Sequence, residues 1–312
     1  MKILYISPRY EGGIGGHAKR VAEKLSEQGH DVKLMKIPHI PIKKLKNPSF
    51  VIFGKLKALI DNETYDAVHA WNVPSAFIMK NIKSNKKILS IHGIYSEQIE
   101  LLYSRTTGKL AKVGESKAFS YSTKLTTDSK TVQQYYKEKF HVNFIHLPAP
   151  LDTKKFKDIT KIEKNFNQIA YVGRDSFEKG IDILQNIESK LNGKVVYCTN
   201  YPWSKTMKIL KSSKLLIVPS RMESLPQVIK EAFYLKIPVI ATNVGGIPEI
   251  IQNEQTGILI PPENEQEMIN AINNLIKNDS LIKTMTNNAF IFINKFYSWD
   301  KLLPKYIELY EN

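Results

Sequence analysis

Glu223 and Glu231 stand eight positions apart in PSRMESLPQVIKEAFY (219–234), directly after the apolar run at 215–218. That run reads as a strand broken at Pro219-Ser220. Pro226 lies between the two glutamates and suits a first helical turn. A helix from Pro226 puts Glu223 just before its start and Glu231 between one and two turns inside. Both carboxylates can then face one crevice beside a helix N-terminus, where backbone N–H groups favour an anion. The design recurs: 238–241 reads as a short buried strand, and Gly245-Gly246 as a turn opening on Pro248-Glu249. Two strand ends, two turns and two helix starts imply a ligand crevice at the carboxyl edge of a parallel sheet.

Other candidates lie in the first half. A strand-like run at 2–7 enters EGGIGG (11–16), and Val21, Ala22 and Leu25 mark an amphipathic helix stopped by Gly29. Strand, glycine loop and helix form a phosphate-cradling arrangement, in which Gly12, Gly13, Gly15 and Gly16 let the backbone approach a ligand; a tight turn without a ligand has the same pattern. His69 and His92 each follow a strand. A histidine there is either a hydrogen-bonded structural residue or a functional one.

The elements that must position these residues alternate along the chain. Strand patterns at 31–37, 66–70, 87–91, 123–127 and 143–147 are interleaved with helical patterns at 50–61, 73–83 and 129–138. This predicts an α/β fold with a doubly wound parallel sheet. Residues 148–167 read as a linker without chemistry. A second α/β unit follows, with strands at 168–172, 194–200, 214–218, 238–241 and 257–260 and helical patterns at 264–292 and 296–310.

The ordered string Glu223, Glu231, Pro238-Val239, Gly245-Gly246 and Pro248-Glu249 resembles the donor-sugar motif of retaining glycosyltransferases of family 4. That motif reads E-x7-E, a proline–valine strand, then GG-x-PE. The resemblance covers nearly the whole chain, strongly at 171–263 and the N-terminus, weakly at 95–167. It implies the GT-B fold, with two doubly wound Rossmann-like domains facing each other across a cleft. Residues 1–150 would form the acceptor-side domain and 151–294 the nucleotide-sugar donor domain, with 295–312 a closing helix packed back on the first. It implies catalytic roles for Glu223 and His92, with Glu231 accepting from ribose hydroxyls. Arg174 and Lys179, in GRDSFEKG (173–180), match residues that hold the donor diphosphate, where cations stabilise a leaving anion. Ser224, Leu225 and the four glycines complete the implied donor site.

The chain also departs from that family. Ala149-Pro150-Leu151-Asp152 replaces the usual N-G-[VI]-D, and Cys198-Thr199-Asn200 replaces a G-x-G turn. One strand–helix unit is missing before 214, and in relatives its loop helps to hold the nucleotide base. Trp203, in the short segment 201–213, could stack on a base instead.

Composition bounds the partners. A chain of 312 residues can bury two cores. No apolar run reaches the ~18 residues of a membrane span. Cys198 is the single cysteine, which excludes an internal disulfide and fits a cytoplasmic setting, and MKILYIS leads into a strand rather than a secretory leader. There is no D-x-D motif and no His/Cys cluster with metal spacing, so no metal or other cofactor is expected beyond the nucleotide sugar as co-substrate.

The net charge of +15 is uneven, with 24 basic and 12 acidic side chains in 1–150 against 21 and 18 in the rest. Residues 32–60 hold seven lysines, Lys43, Lys44 and Lys46 among them, and no acidic residue. Apolar residues from Phe50 to Ile60 accompany them. This is either a sheet-covering helix or an interfacial segment for an anionic membrane surface, peripheral attachment that would present a lipid-linked or glycan acceptor. Nucleic acid is the weakest partner, because no binding motif or Arg/aromatic interleaving is present. Two readings of function are implied by the resemblance: a nucleotide-sugar-dependent transferase, or a sugar-nucleotide-binding relative without turnover.

Overall fold

Short, mostly aliphatic runs with no exposed face, such as AVHA at 67–70 and VIAT at 239–242, are buried at every position. Strands covered on both sides by helices read this way. The computed structural model describes residues 1–42, 45–159, 162–163 and 165–311. Lys43 and Lys44 of the lysine-rich segment lie outside the described residues, as do 160, 161 and 164 of the expected linker. The chain divides into two compact units, Met1–Ala149 with Leu302–Asn312, and Pro150–Lys301. The C-terminal segment that joins the first unit thus begins at 302, not at the 295 expected from the sequence.

In the first unit the order is β1 (Lys2–Ile6), α1 (Gly13–Glu27), β2 (Asp31–Met35), α2 (Lys46–Leu59), β3 (Ala67–Ala70), α3 (Val73–Met79), β4 (Lys86–Ile91), α4 (Tyr95–Leu102), α5 (Arg105–Ser120), β5 (Lys124–Thr127), α6 (Lys130–Phe140) and β6 (Ile145–His146). The strands form one parallel sheet in the order β2-β1-β3-β4-β5-β6. Helices α4 and α5 occupy 95–120, which the hydrophobic pattern left unassigned.

Alternation puts Leu4, Ile6, Val68, Leu89 and Ile91 into the main core of this unit. The intervening residues Tyr5, His69, Ser90 and Thr126 make a buried polar row on the opposite face. That row is completed by the last helix, α13 (Trp299–Glu311), whose Tyr310 hydroxyl lies 2.5 Å from both Tyr5 Oη and His69 Nδ1. His69 Nε2 bonds Ser90 Oγ at 2.6 Å. Of the two alternatives for His69, the structure gives the hydrogen-bonded one. Burial, helped by His92, holds its pKa well below the ordinary value, so the ring stays neutral. Lys86 Nζ bonds the Tyr310 and Glu311 carbonyls and Lys124 Nζ that of Leu309, which satisfies the last turn of α13 where the helix dipole is negative.

The second unit contains β7 (Asn165–Gly173), α7 (Ile181–Ile187), β8 (Lys194–Thr199), α8 (Trp203–Ser212), β9 (Ser213–Val218), α9 (Gln227–Tyr234), β10 (Val239–Thr242), α10 (Ile247–Ile250), β11 (Ile258–Ile260), α11 (Glu265–Ile276) and α12 (Asp279–Tyr297); α13 spans Trp299–Glu311. Its parallel sheet runs β11-β10-β9-β7-β8. β7 sends the chain outward to β8 on one side, and β9, β10 and β11 follow on the other. The topological switch point therefore lies between β7 and β9. β8 is an edge strand, and the single helix α8 leads from it directly to β9. The helical stretch expected at 264–292 is two helices, broken where the Asn278 side chain caps α12.

The Tyr310 hydroxyl is shared by two buried partners, so its loss strands both. Tyr310→Phe should lower unfolding free energy by about 1–3 kcal/mol, the cost of leaving buried polar groups unpaired. Urea denaturation of parent and variant measures it.

Candidate functional site

Arg174 and Lys179 follow β7, and Glu223 follows β9, so the two neighbouring strands at the switch point deliver them to one carboxyl edge. Lys179 Nζ sits 2.6 Å from Glu223 Oε1, and Ser220 Oγ donates to the same oxygen at 2.9 Å. Arg174 reaches Glu178 Oε1 at 2.9 Å, but its side chain is 67% exposed. Glu178 is buried, and neither of its oxygens has an aligned hydrogen bond among the described residues. The cluster thus opposes two cations to two carboxylates, with one cation reaching into solvent.

Backbone packing fixes this arrangement. Gly180 has φ +64°, and a Cβ there would stand 2.0 Å from the Pro219 carbonyl oxygen. Gly245 has φ +53°, and its Cβ would stand 1.8 Å from the Glu223 carbonyl oxygen. Only glycine admits both the left-handed backbone and the close approach. Thr242 Oγ1 donates to the Ser220 carbonyl at 2.5 Å, tying the end of β10 to the same loop. The GG turn recognised in the sequence therefore supports Glu223 from behind.

Arg221 is a further member of this cluster that the sequence did not single out. Its guanidinium makes a two-pronged contact with Asp182 at 2.7 and 2.8 Å, bonds Glu263 at 2.7 Å and donates to the Phe177 carbonyl at 2.8 Å. It thereby stitches the loop after β9 to the turn that carries Lys179, and holds the Asp182 carboxyl below its ordinary pKa. The signal was its place between Ser220 and Glu223.

α9 begins at Gln227 with Pro226 as its cap residue, one position later than expected. Ser224 and Leu225 are buried in the turn before it. Glu231, one turn inside, accepts from Trp203 Nε1 at 2.8 Å. The Trp203 ring packs edge-on to Phe156, centroids 5.1 Å apart. Trp203, read from the sequence as able to stack on a base, commits its one polar atom to Glu231. Phe156 belongs to the stretch read as a linker, so that segment contributes packing to the site.

In the first unit, Gly12 and Gly13 form the turn into α1 at positive φ, and Gly15 and Gly16 are buried in its first turn. A Cβ on Gly15 would meet the Arg9 carbonyl oxygen at 1.8 Å, a packing reason for that glycine independent of any ligand. His17 of α1 bonds the Tyr306 hydroxyl at 2.8 Å. His92 Nδ1 lies 3.1 Å from Asp128 Oδ2, both side chains buried, at the carboxyl ends of β4 and β5. The indole of Trp71 stacks 6.0 Å from the His92 ring. Among the described residues, His92 Nε2 and Trp71 Nε1 have no hydrogen-bond partner. Asp128 and Trp71 were not read from the sequence, although each directly follows a strand of the same sheet.

Comparison with known proteins places the sequence and the fold. Residues 184–291 fit the family described as Glycosyl transferases group 1. Two uncharacterized glycosyltransferases of Methanocaldococcus jannaschii align with 100% of this chain and 98% of their own length, at 26% and 23% identity. The chain is a glycosyltransferase. Its fold is GT-B: sucrose-phosphate synthase from Thermosynechococcus elongatus superposes with a TM-score of 0.82 at 16% identity, covering 100% of this chain and 98% of that one. Anabaena HepE in complex with UDP-glucose superposes at 0.73, also at 16% identity, over 99% and 98%.

The part of the transferase that matches the group 1 family includes Glu223, Glu231 and Trp203, and begins just after Lys179. Trp203 is the one of these whose contribution can be separated cleanly. Trp203→Phe keeps the ring against Phe156 and removes the donor to Glu231. Calorimetry should then show uridine diphosphate binding weakened about fivefold, the ~1 kcal/mol of one net hydrogen bond.

Proposed function

We propose that this transferase is a retaining, metal-independent enzyme that moves a sugar from a nucleotide-diphosphate sugar to a glycan or lipid-linked acceptor. It works in the cytoplasm, peripherally at the cytoplasmic face of the membrane. The contact of Lys179 with Glu223 at the β7/β9 switch point carries the reading. It puts a cation for a departing diphosphate beside a carboxylate suited to a sugar ring that becomes positively charged as the bond breaks. Arg174, exposed and close to Glu178, is the second cation and can exchange that carboxylate for phosphate oxygens. Glu231, held by Trp203, accepts from ribose hydroxyls.

In the first unit, Asp128 accepts from the Nδ1–H of His92 in this assignment. That leaves Nε2 as an acceptor for a substrate hydroxyl. HepE has been seen with UDP-glucose, and the Streptomyces kanamyceticus alpha-D-kanosaminyltransferase, 22% identical over 68% of this chain and 67% of its own length, is named as a sugar transferase. Both support a nucleotide-sugar donor here.

Incubation with a panel of nucleotide sugars, following slow donor hydrolysis and calorimetric binding, tests the reading. Lys179→Ala should weaken nucleoside diphosphate binding by roughly 1.5–3 kcal/mol, a lost charge-assisted hydrogen bond. Glu223→Gln should lower turnover while donor binding is largely kept. Donor binding without turnover in the parent would favour the non-catalytic relative instead.

The short path from β8 through α8 to β9 bears on base recognition. Specificity for a base comes from polar groups left unpaired when the wrong one binds. With one strand–helix unit fewer to supply them, uridine and guanosine diphosphates should bind within about tenfold of each other, ~1.4 kcal/mol. Calorimetry with both nucleotides reads the ratio, and a preference well above a hundredfold would contradict it.

A further inference from the structure

Helix α2 has two apolar faces. Phe50, Gly54 and Ala58 point into the first unit and are buried. Ile52, Phe53, Leu56, Leu59 and the adjoining Ile60 are exposed, the last two by 69% and 78%. At 3.6 residues per turn these five side chains share an arc of about 120°, and Lys55 and Lys57 flank it on either side. An arc of aliphatic residues edged by lysines differs from scattered surface leucines, which need no explanation. Lysine stems can lie along such a surface while their ammonium groups reach anionic headgroups.

A second stripe lies in the same helical layer. α3 packs against both α2 and α5 within the first unit. On α5, Leu110 and Val113 are exposed by 69% and 56%, among the exposed cations Arg105, Lys109, Lys112 and Lys117. The one carboxylate of α5, Glu115, points inward, where it bonds the Tyr136 hydroxyl and burial raises its pKa. Neither α2 nor the outward face of α5 presents an acidic group. α4, which packs against α5, carries the exposed Glu97 and Glu100 and borders the surface on that side. Among the described residues no helix is long and apolar enough to cross a membrane.

We infer that the outward faces of α2 and α5 form a platform by which the first unit lies on an anionic lipid bilayer. The apolar arcs enter the boundary between headgroups and acyl chains, and the lysines pair with lipid phosphates. The sign of the charge selects this occupant, because a second copy of the chain would bring like-charged lysines against these. The inference gives the proposed peripheral attachment a defined surface. Vesicle binding needs neither donor nor turnover, so either reading can fail while the other stands.

Co-sedimentation of the full chain with phosphatidylglycerol-containing vesicles and with pure phosphatidylcholine vesicles tests it. The parent should sediment with the first and stay in solution with the second. Leu56→Ser and Leu110→Ser should each weaken partitioning about tenfold or more, from the apolar area no longer buried. Lys55→Gln and Lys109→Gln should each weaken it about fivefold, more at low salt than at high. All four positions are exposed, so unfolding midpoints and nucleoside diphosphate affinity should match the parent. The inference is overturned if the parent ignores both vesicle types or binds them equally. It is also overturned if sedimentation velocity shows a dimer that Leu56→Ser dissolves, since a second copy then covers the surface.

Discussion

The Lys179–Glu223 cluster depends on backbone packed against backbone at the carboxyl edge of the second sheet. Three loops, after β7, β9 and β10, meet where Gly180 touches the Pro219 carbonyl and Gly245 touches that of Glu223. With no side chain between them the loops cannot separate or rotate freely, and the Glu223 carboxylate is aimed at Lys179. Arg221 adds a charged tie from the side, through Asp182 and Glu263. Positioning of this kind lets a charged group act without reorganising at the moment of reaction.

The same cluster is electrically balanced before a ligand arrives. Lys179 faces Glu223 and Arg174 faces Glu178. A diphosphate can claim the cations only by displacing or sharing their carboxylate partners, which lowers affinity relative to two unpaired cations. In the proposed reaction, a Lys179 drawn to the leaving group would leave the Glu223 carboxylate less firmly engaged and free to face the charge that develops on the sugar. Arg174, on the solvent side, is the cation that exchanges at least cost.

The first unit solves a different problem. Its sheet carries a buried polar row, and the tyrosines of α13 close it with hydroxyl groups that can donate or accept as each neighbour requires. Further along the carboxyl edge the polar groups are less completely satisfied, with Trp71 Nε1 and His92 Nε2 left without partners among the described residues. The transition from satisfied to unsatisfied polar atoms runs from the middle of the strands toward their ends, where ligands of open α/β sheets bind.

Much of this was legible from the chain alone. Alternating strand and helix periods determined two parallel α/β sheets, since a crossover helix between strands leaves few other topologies. The ordered string of Glu223, Glu231 and the GG turn supplied the donor-side candidates through its resemblance to a known motif. Glu223 and the GG turn lie close behind strand ends, and Glu231 lies inside the helix between them. The tertiary structure decided what depends on contact between distant segments. Lys179 and Glu223 are 44 positions apart, His92 and Asp128 are 36, and Trp203 and Glu231 are 28. No local period records which loop lies beside which. The outward arc of α2 was equally hidden, since its apolar residues satisfy a helical pattern in either direction, and only packing of Phe50, Gly54 and Ala58 on the unit shows which face is left for a partner.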